Sequence, residues 1–174
     1  MSPCFLEFSA LSCPTLERKW RMLQLMRLTL AHIGSRDSFK DGVASAAGAY
    51  LKRCSTYAQC GSEAFKTEDG LLDWLARQEG RTPACAVLLD SRGKQMKSEA
   101  FAAWLGARRD QGTQHIVFAI GPPSGWSDEA RKQAEMLLSF GPMTLAHSLA
   151  RLVMAEQLYR AVTILTGHPY HTGH

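Results

Sequence analysis

The chain gathers its reactive side chains in its last third. His147 and Arg151 stand four residues apart, as do Glu156 and Arg160, and the closing segment carries His168, Tyr170, His171 and His174. Residues four apart share one face of a helix. Histidine titrates near neutral pH and can take or give a proton. Arginine presents a planar fork of donors suited to phosphate or to a neighbouring subunit's carboxylate. Tyr170 is an aromatic able to stack on an unpaired base. Ordinary readings stand beside these. Glu156 and Arg160 could be a helical ion pair worth about 0.3–0.5 kcal/mol, and the tail could be docked on its own domain. The tail histidines also invite a metal. Zinc sites, however, recruit a further Cys, Asp or Glu, and none can be placed here, so no metal is expected.

Two loops precede this segment. Gly121-Pro-Pro-Ser-Gly125 lies between an apolar run and Ser127-Asp-Glu129. Glycine lets backbone approach a ligand, and helix N-terminal amides favour anions. The glycine spacing fits neither a dinucleotide fingerprint nor a P-loop, and a plain strand-to-helix turn is the commoner meaning. Phe140-Gly-Pro-Met-Thr-Leu145 is an apolar loop with many free backbone groups. It suits an adenine ring and a methionine-like tail, or else it packs under the last helix.

The elements that must position these residues follow from periodicity. Arg27–Ile33, Ala84–Leu89, His115–Ile120 and Leu137–Phe140 read as strands, the middle two apolar on both faces as parallel sheets require. Asp90–Gly93 reads as a turn, and 54–65 is ambiguous with room for a short strand. Helices are expected over 38–53, from a Thr67 cap to Gln78, from a Ser98 cap to Asp110, from Ser127 onward, and from a Thr144 cap to Leu165. The last is apolar nearly all round, so it should be buried on several sides, one of which could be a subunit interface. Strand and helix alternate, which implies an α/β fold: a mostly parallel sheet with helices on both faces. Residues 1–25 read as a poorly ordered extension, or an upstream start assigned in error, ahead of a domain over 26–174.

Composition bounds the rest. At 174 residues, 45% hydrophobic and 21% charged, the chain can bury one real core. A net charge of +4 permits RNA without demanding it. The five cysteines are odd in number and widely spaced, which suggests reduced thiols in a cytoplasmic protein. No apolar run reaches membrane-spanning length and no secretory signal opens the chain, so no membrane partner is expected.

Several separated segments resemble one family, the SPOUT-class RlmH methyltransferases, which act on a pseudouridine of large-subunit RNA. They are Leu88-Leu-Asp-Ser-Arg-Gly-Lys94, Ser98–Ala102, Ile120-Gly121, Phe140–Leu145, His147, Arg151, Ala155–Arg160 and His168–His171. The resemblance implies a trefoil-knotted domain, one of the rare exceptions to the rule against knots, and a homodimer. It implies S-adenosylmethionine as cofactor, lined by Leu89, Gly121, Phe140, Gly141, Pro142, Met143, Thr144 and Leu145. The implied reaction is methylation at N3 of a pseudouridine in 23S rRNA, with the assembled ribosome as partner. His147 and His171 are then candidates to take the imide proton, Arg151 and Arg160 to hold phosphate or imidate charge, and Tyr170 to position the base. The chain departs from the family at Pro122, where a second glycine is usual, at Ala146, where proline is usual, and over 54–67, which is shorter and less basic. The alternatives are another RNA site, or an RNA-binding assembly protein without catalysis.

Overall fold

The computed structural model describes residues 14–34, 42–78 and 83–171. Its strands are β1 (Arg27–Ile33), β2 (Gln59–Phe65), β3 (Cys85–Gln95), β4 (His115–Ile120) and β5 (Met136–Ser139). All pairings are parallel, in the order β2-β1-β4-β3-β5. Every residue of β4 is buried, and every residue of β1 after Arg27. These strands need apolar runs without alternation because both faces are covered. β2 lies at the edge, mostly exposed along Gln-Cys-Gly-Ser-Glu-Ala-Phe, which is why its sequence carries so weak a strand signal.

Helices α1 (Pro14–Leu25), α2 (Gly42–Cys54), α3 (Glu68–Ala76), α4 (Ser98–Asp110), α5 (Asp128–Gln133) and α6 (His147–Thr166) complete the described fold, with one 3-10 turn at Pro169–His171. Strand side chains alternate between the two faces. Leu28, Leu30, Ile116, Phe118 and Ile120 pack against Leu51 of α2, Phe101 and Leu105 of α4, and Met154, Leu158 and Val162 of α6. Ala31, Ile33, Val117 and Ala119 meet Leu71 of α3 and Ala130 of α5 on the other face. The expected parallel α/β sheet with helices on both faces is therefore present.

The first core also takes in Leu23 of α1, which is fully buried, while Trp20 sets an edge against the Tyr57 ring. Residues 1–13 lie outside the described residues, as does the expected helix start over 38–41.

Local chemistry explains several boundaries and corrects others. Thr67 and Ser127 cap α3 and α5, accepting from the amides of Gly70 and Ala130 at 3.1 and 3.0 Å. Ser98 is not a cap: the capping residue is Lys97, and the Ser98 hydroxyl instead donates to Gln157 Oε1 at 2.9 Å, tying α4 to α6. Thr144 is not one either. α6 begins at His147 behind Ala146, with no side-chain cap, and ends in a left-handed Gly167 at φ 71°. The expected turn at Asp90–Gly93 lies inside β3. β5 pairs on both sides of it, Leu138 standing opposite Leu89 and again opposite Lys94, so the segment is an irregularity in a continuing strand. The Asp90 carboxylate accepts from the Arg92 amide at 2.9 Å, which is turn chemistry inside a ladder. Gly93 is required there, because a Cβ would sit 2.6 Å from backbone of Leu137.

At the start of β4, His115 is buried beside Thr29, Nε2 to Oγ1 2.9 Å, with its ring edge against Trp74. Burial and then the nearby Arg27 charge push its pKa down to about 4, from an ordinary value of 6.5. The unfolded chain takes a proton below pH 6.5 that the folded chain refuses until about pH 4. Stability is therefore lost as pH falls through that window, by up to about 3 kcal/mol. Urea denaturation of the wild type should show this decline between pH 7 and 4.5, and His115→Gln should flatten it.

Candidate active site

The C-terminal ends of β3, β4 and β5 point the same way, and the loops leaving them enclose a cleft of about 620 Å³. Such an edge is where parallel α/β sheets bind ligands. One wall is Leu89 with Asp90, Ser91 and Arg92, a second is Ile120 with the 121–125 turn, and a third is Leu138 to Phe140 with Gly141 and Met143–Leu145. His147 and Ala150 of α6 close the remaining side.

Of the residues expected to hold a cofactor, Leu89, Gly121, Phe140, Gly141, Met143, Thr144 and Leu145 line this one cleft; Pro142, between them, is exposed and is not among its lining residues. Gly141 takes φ 117°, a conformation that favours glycine, and its amide is held by the Ser139 hydroxyl at 3.1 Å. Phe140 is 37% and Met143 79% exposed, so two large apolar side chains stand open at the mouth.

The cleft is charged at its base. Asp90 accepts from Arg131 Nε at 2.7 Å, and Arg131 reaches Asp128 at 3.0 Å. Burial alone would raise the Asp90 pKa. The hydrogen bonds from Arg131 and the Arg92 amide, with both positive charges, outweigh it and hold the carboxyl below the usual range. Trp126 completes the base, its indole Nε1 donating to Leu89 O at 2.9 Å.

The expected catalytic residues fall into two groups. His147 is half-buried at the N-terminus of α6, its ring 5.7 Å from and edge-on to that of His32 at the end of β1. Arg151 follows one turn later and is buried. Arg160, Tyr170 and His171 gather at the other end of α6. With 1.5 Å of rise per residue, His147 and Arg160 are about 20 Å apart along the axis. One chain thus brings His147 to the cleft and leaves the other three elsewhere.

Those three are organised around Glu156. Its Oε1 accepts from Arg160 Nη2 at 2.6 Å and from the Tyr170 hydroxyl at 3.1 Å. The Arg160 guanidinium also lies over the Tyr170 ring, 4.9 Å from its centroid. Burial, then hydrogen bonds with Tyr50 and Glu156, raise the Tyr170 pKa, so its hydroxyl keeps its proton at neutral pH. The hydrogen bond to Glu156 raises the Arg160 pKa and keeps it charged. His171 bridges outward, Nε2 to Glu99 Oε1 3.0 Å and Nδ1 to Arg160 Nη1 3.5 Å. His168 Nδ1 accepts from the Tyr170 amide at 3.2 Å, and His174 lies outside the described residues. Among the described residues no group of three or more His, Cys, Asp or Glu could hold a metal, and no helix is long and apolar enough to cross a membrane.

Sequence reading missed Asp90, Arg131, Trp126, Glu99 and Tyr50 as members of these clusters. Only the i, i+4 spacing of Glu156 and Arg160 was visible beforehand. The contacts Leu89–Trp126, Asp90–Arg131, Glu99–His171 and Tyr50–Tyr170 span 37 to 120 residues and leave no local signal.

The chain is similar to known proteins over most of its length. A family model described as "Predicted SPOUT methyltransferase" matches residues 26–171. The chain is 48% identical over 149 residues to a ribosomal RNA large subunit methyltransferase H of Koribacter versatilis, covering 86% of this chain and all of that protein. It is 51% identical over 88 residues to the protein of that name in Brucella ovis, covering 51% of this chain and 52% of that one. Among solved structures, a probable methylase family protein from Haemophilus influenzae superposes with TM-score 0.49 at 12% identity, covering 85% of this chain and 70% of that one. A SpoU methyltransferase from Streptomyces viridochromogenes, in complex with AdoMet, gives 0.44 at 12% identity over 79% of this chain and 57% of that one. With nearly the whole of the folded region matched and the strand-end loops placed around one cleft, the chain belongs to the SPOUT methyltransferase family.

Proposed function

We propose that this protein transfers a methyl group from S-adenosylmethionine to N3 of a pseudouridine in 23S rRNA, acting as a homodimer on the assembled ribosome. The observation that carries the reading is the single cleft formed by segments far apart in sequence, 89–92, 120–125 and 138–147. The relatives' names support large-subunit rRNA as the substrate. A trefoil knot remains part of the proposal, on the family resemblance.

The residues present fit the cofactor. The volume, about 620 Å³, suits a ligand of that size. Leu89, Phe140, Met143 and Leu145 offer apolar contact for adenine and thioether-like carbon. The left-handed Gly141 lets backbone come close, with open space where a Cβ would stand. Bound there, S-adenosylmethionine supplies a sulfonium methyl group, an electrophile for in-line displacement.

The chain's own residues then align the nucleotide and move a proton. N3 of pseudouridine carries an imide proton that must leave, and the proposed acceptor is His147, which lines the cleft. Arg151, one turn deeper on α6, adds positive charge near that edge. The tail cluster supplies the rest. Tyr170 keeps its hydroxyl proton and presents an aromatic ring for the base, Arg160 is held charged by Glu156 for phosphate or imidate, and His171 is anchored by Glu99. Since His147 and Arg160 of one chain are about 20 Å apart along α6, a second copy provides the tail that meets each cleft. The exposed Phe140, Met143 and Leu149 give that copy an apolar contact.

Labelled methyl should pass from S-adenosylmethionine to a single pseudouridine of 23S rRNA in ribosomes that lack the modification, with little transfer to naked rRNA. Equal rates on both would remove the ribosome from the proposal. Absence of label, with calorimetry showing no cofactor binding, would leave an RNA-binding protein, a reading that Pro122 favours because it has no amide to donate. A Cβ at Gly121 would lie 2.7 Å from Trp126 Cε2, so Gly121→Ala should cost about 1–3 kcal/mol of stability. It should also weaken cofactor binding at least about tenfold. Mixed with a Tyr170→Phe, His171→Ala chain, it should recover about a quarter of wild-type activity if sites are shared between subunits. No recovery above the separate variants would rule out the shared arrangement.

A further inference from the structure

The pairing of β3 with β4 ends at Leu89 opposite Ile120. Beyond that point the chain turns away through Gly121 and Pro122, and Pro122 has no amide hydrogen to continue the ladder. There the indole of Trp126 enters between the two strand ends. Its Nε1 donates to Leu89 O at 2.9 Å, and its ring lies so close to Gly121 that any Cβ there would clash, at 2.7 Å from Cε2. Only 4% of the residue is exposed. The backbone fixes its entry on both sides: Gly125 precedes it at φ 81°, and Ser127 follows as the cap of α5.

Apolar packing accounts for the ring but not for where its N–H goes. From below, Trp126 meets Ala31, Leu71, Val117 and Ala130 in one buried core. The donor is the distinguishing atom, and it goes to a carbonyl in the cleft wall. We infer that Trp126 is a positioning residue for the cofactor: its indole ties the Leu89 carbonyl to the Gly121 turn and sets the spacing between the two strand ends that wall the cleft. The inference rests on the reading that this cleft takes S-adenosylmethionine. It also gives the change at Pro122 a structural counterpart, because a side-chain N–H joins two strand ends where the chain itself has no amide at that residue.

The test uses the full-length chain and S-adenosylmethionine. Trp126→Phe keeps a ring and removes the donor. A second variant, with 3-benzothienyl-alanine at position 126, keeps the indole shape and removes only the N–H, so it decides the matter if the first fails to fold. Calorimetry should show the dissociation constant rising about five- to tenfold in both. KM for the cofactor should rise in step, while kcat at saturating cofactor stays within about twofold. Tryptophan fluorescence should change on cofactor addition to the wild type and lose most of that change in Trp126→Phe, although Trp20, Trp74 and Trp104 remain. A folded donor-less variant with unchanged affinity overturns the inference and leaves the proposed function standing. A wild-type chain that binds no S-adenosylmethionine overturns the proposed function and the inference with it.

Discussion

Parallel pairing is the constraint on which the rest of this molecule depends. Five strands run one way, so their C-terminal ends share a single edge, and the loops leaving β3, β4 and β5 face one another there. Each return must cross a face of the sheet, which covers both faces with helices and buries the middle strand, β4, completely. The cleft is a product of this geometry. Segments 89–92, 120–125 and 138–147 meet because their strands are neighbours in the sheet.

The second determining element is α6. It starts at the cleft and runs back along the sheet, buried against α2 and α4, so it holds His147 at one end and the Glu156, Arg160 and Tyr170 cluster toward the other. His147 and Arg160 are about 20 Å apart along this 20-residue helix. The covering of α6 on several sides also explains why its apolar residues show no single stripe.

Polar groups inside this frame are anchored in pairs or networks. Asp90 with Arg131, Glu156 with Arg160 and Tyr170, and His115 with Thr29 each satisfy a buried or half-buried group. The first two keep charge at the cleft base and on the tail. The third keeps a histidine neutral in the sheet, where an ionised ring would have no solvent.

The sequence by itself determined the fold class, four of the five strands and the motifs around the cleft. β1, β3 and β4 are interior strands and β5 is a short apolar edge strand, all with apolar runs to bury, and Thr67 and Ser127 announce their helices through side-chain caps. It was least informative where local chemistry and tertiary context disagree. Asp90–Gly93 carries turn residues, yet pairing with β5 holds it within a strand. Thr144 has the chemistry of a cap, but it faces the cleft and leaves the start of α6 to Ala146. β2 is an edge strand with little to bury, so it leaves almost no pattern. Tertiary structure alone decided which distant residues touch: Trp126 with Leu89, Asp90 with Arg131, His171 with Glu99. The physical reason is range. Periodicity and capping act over a few residues, whereas these contacts are set by strand order and by the length of one helix.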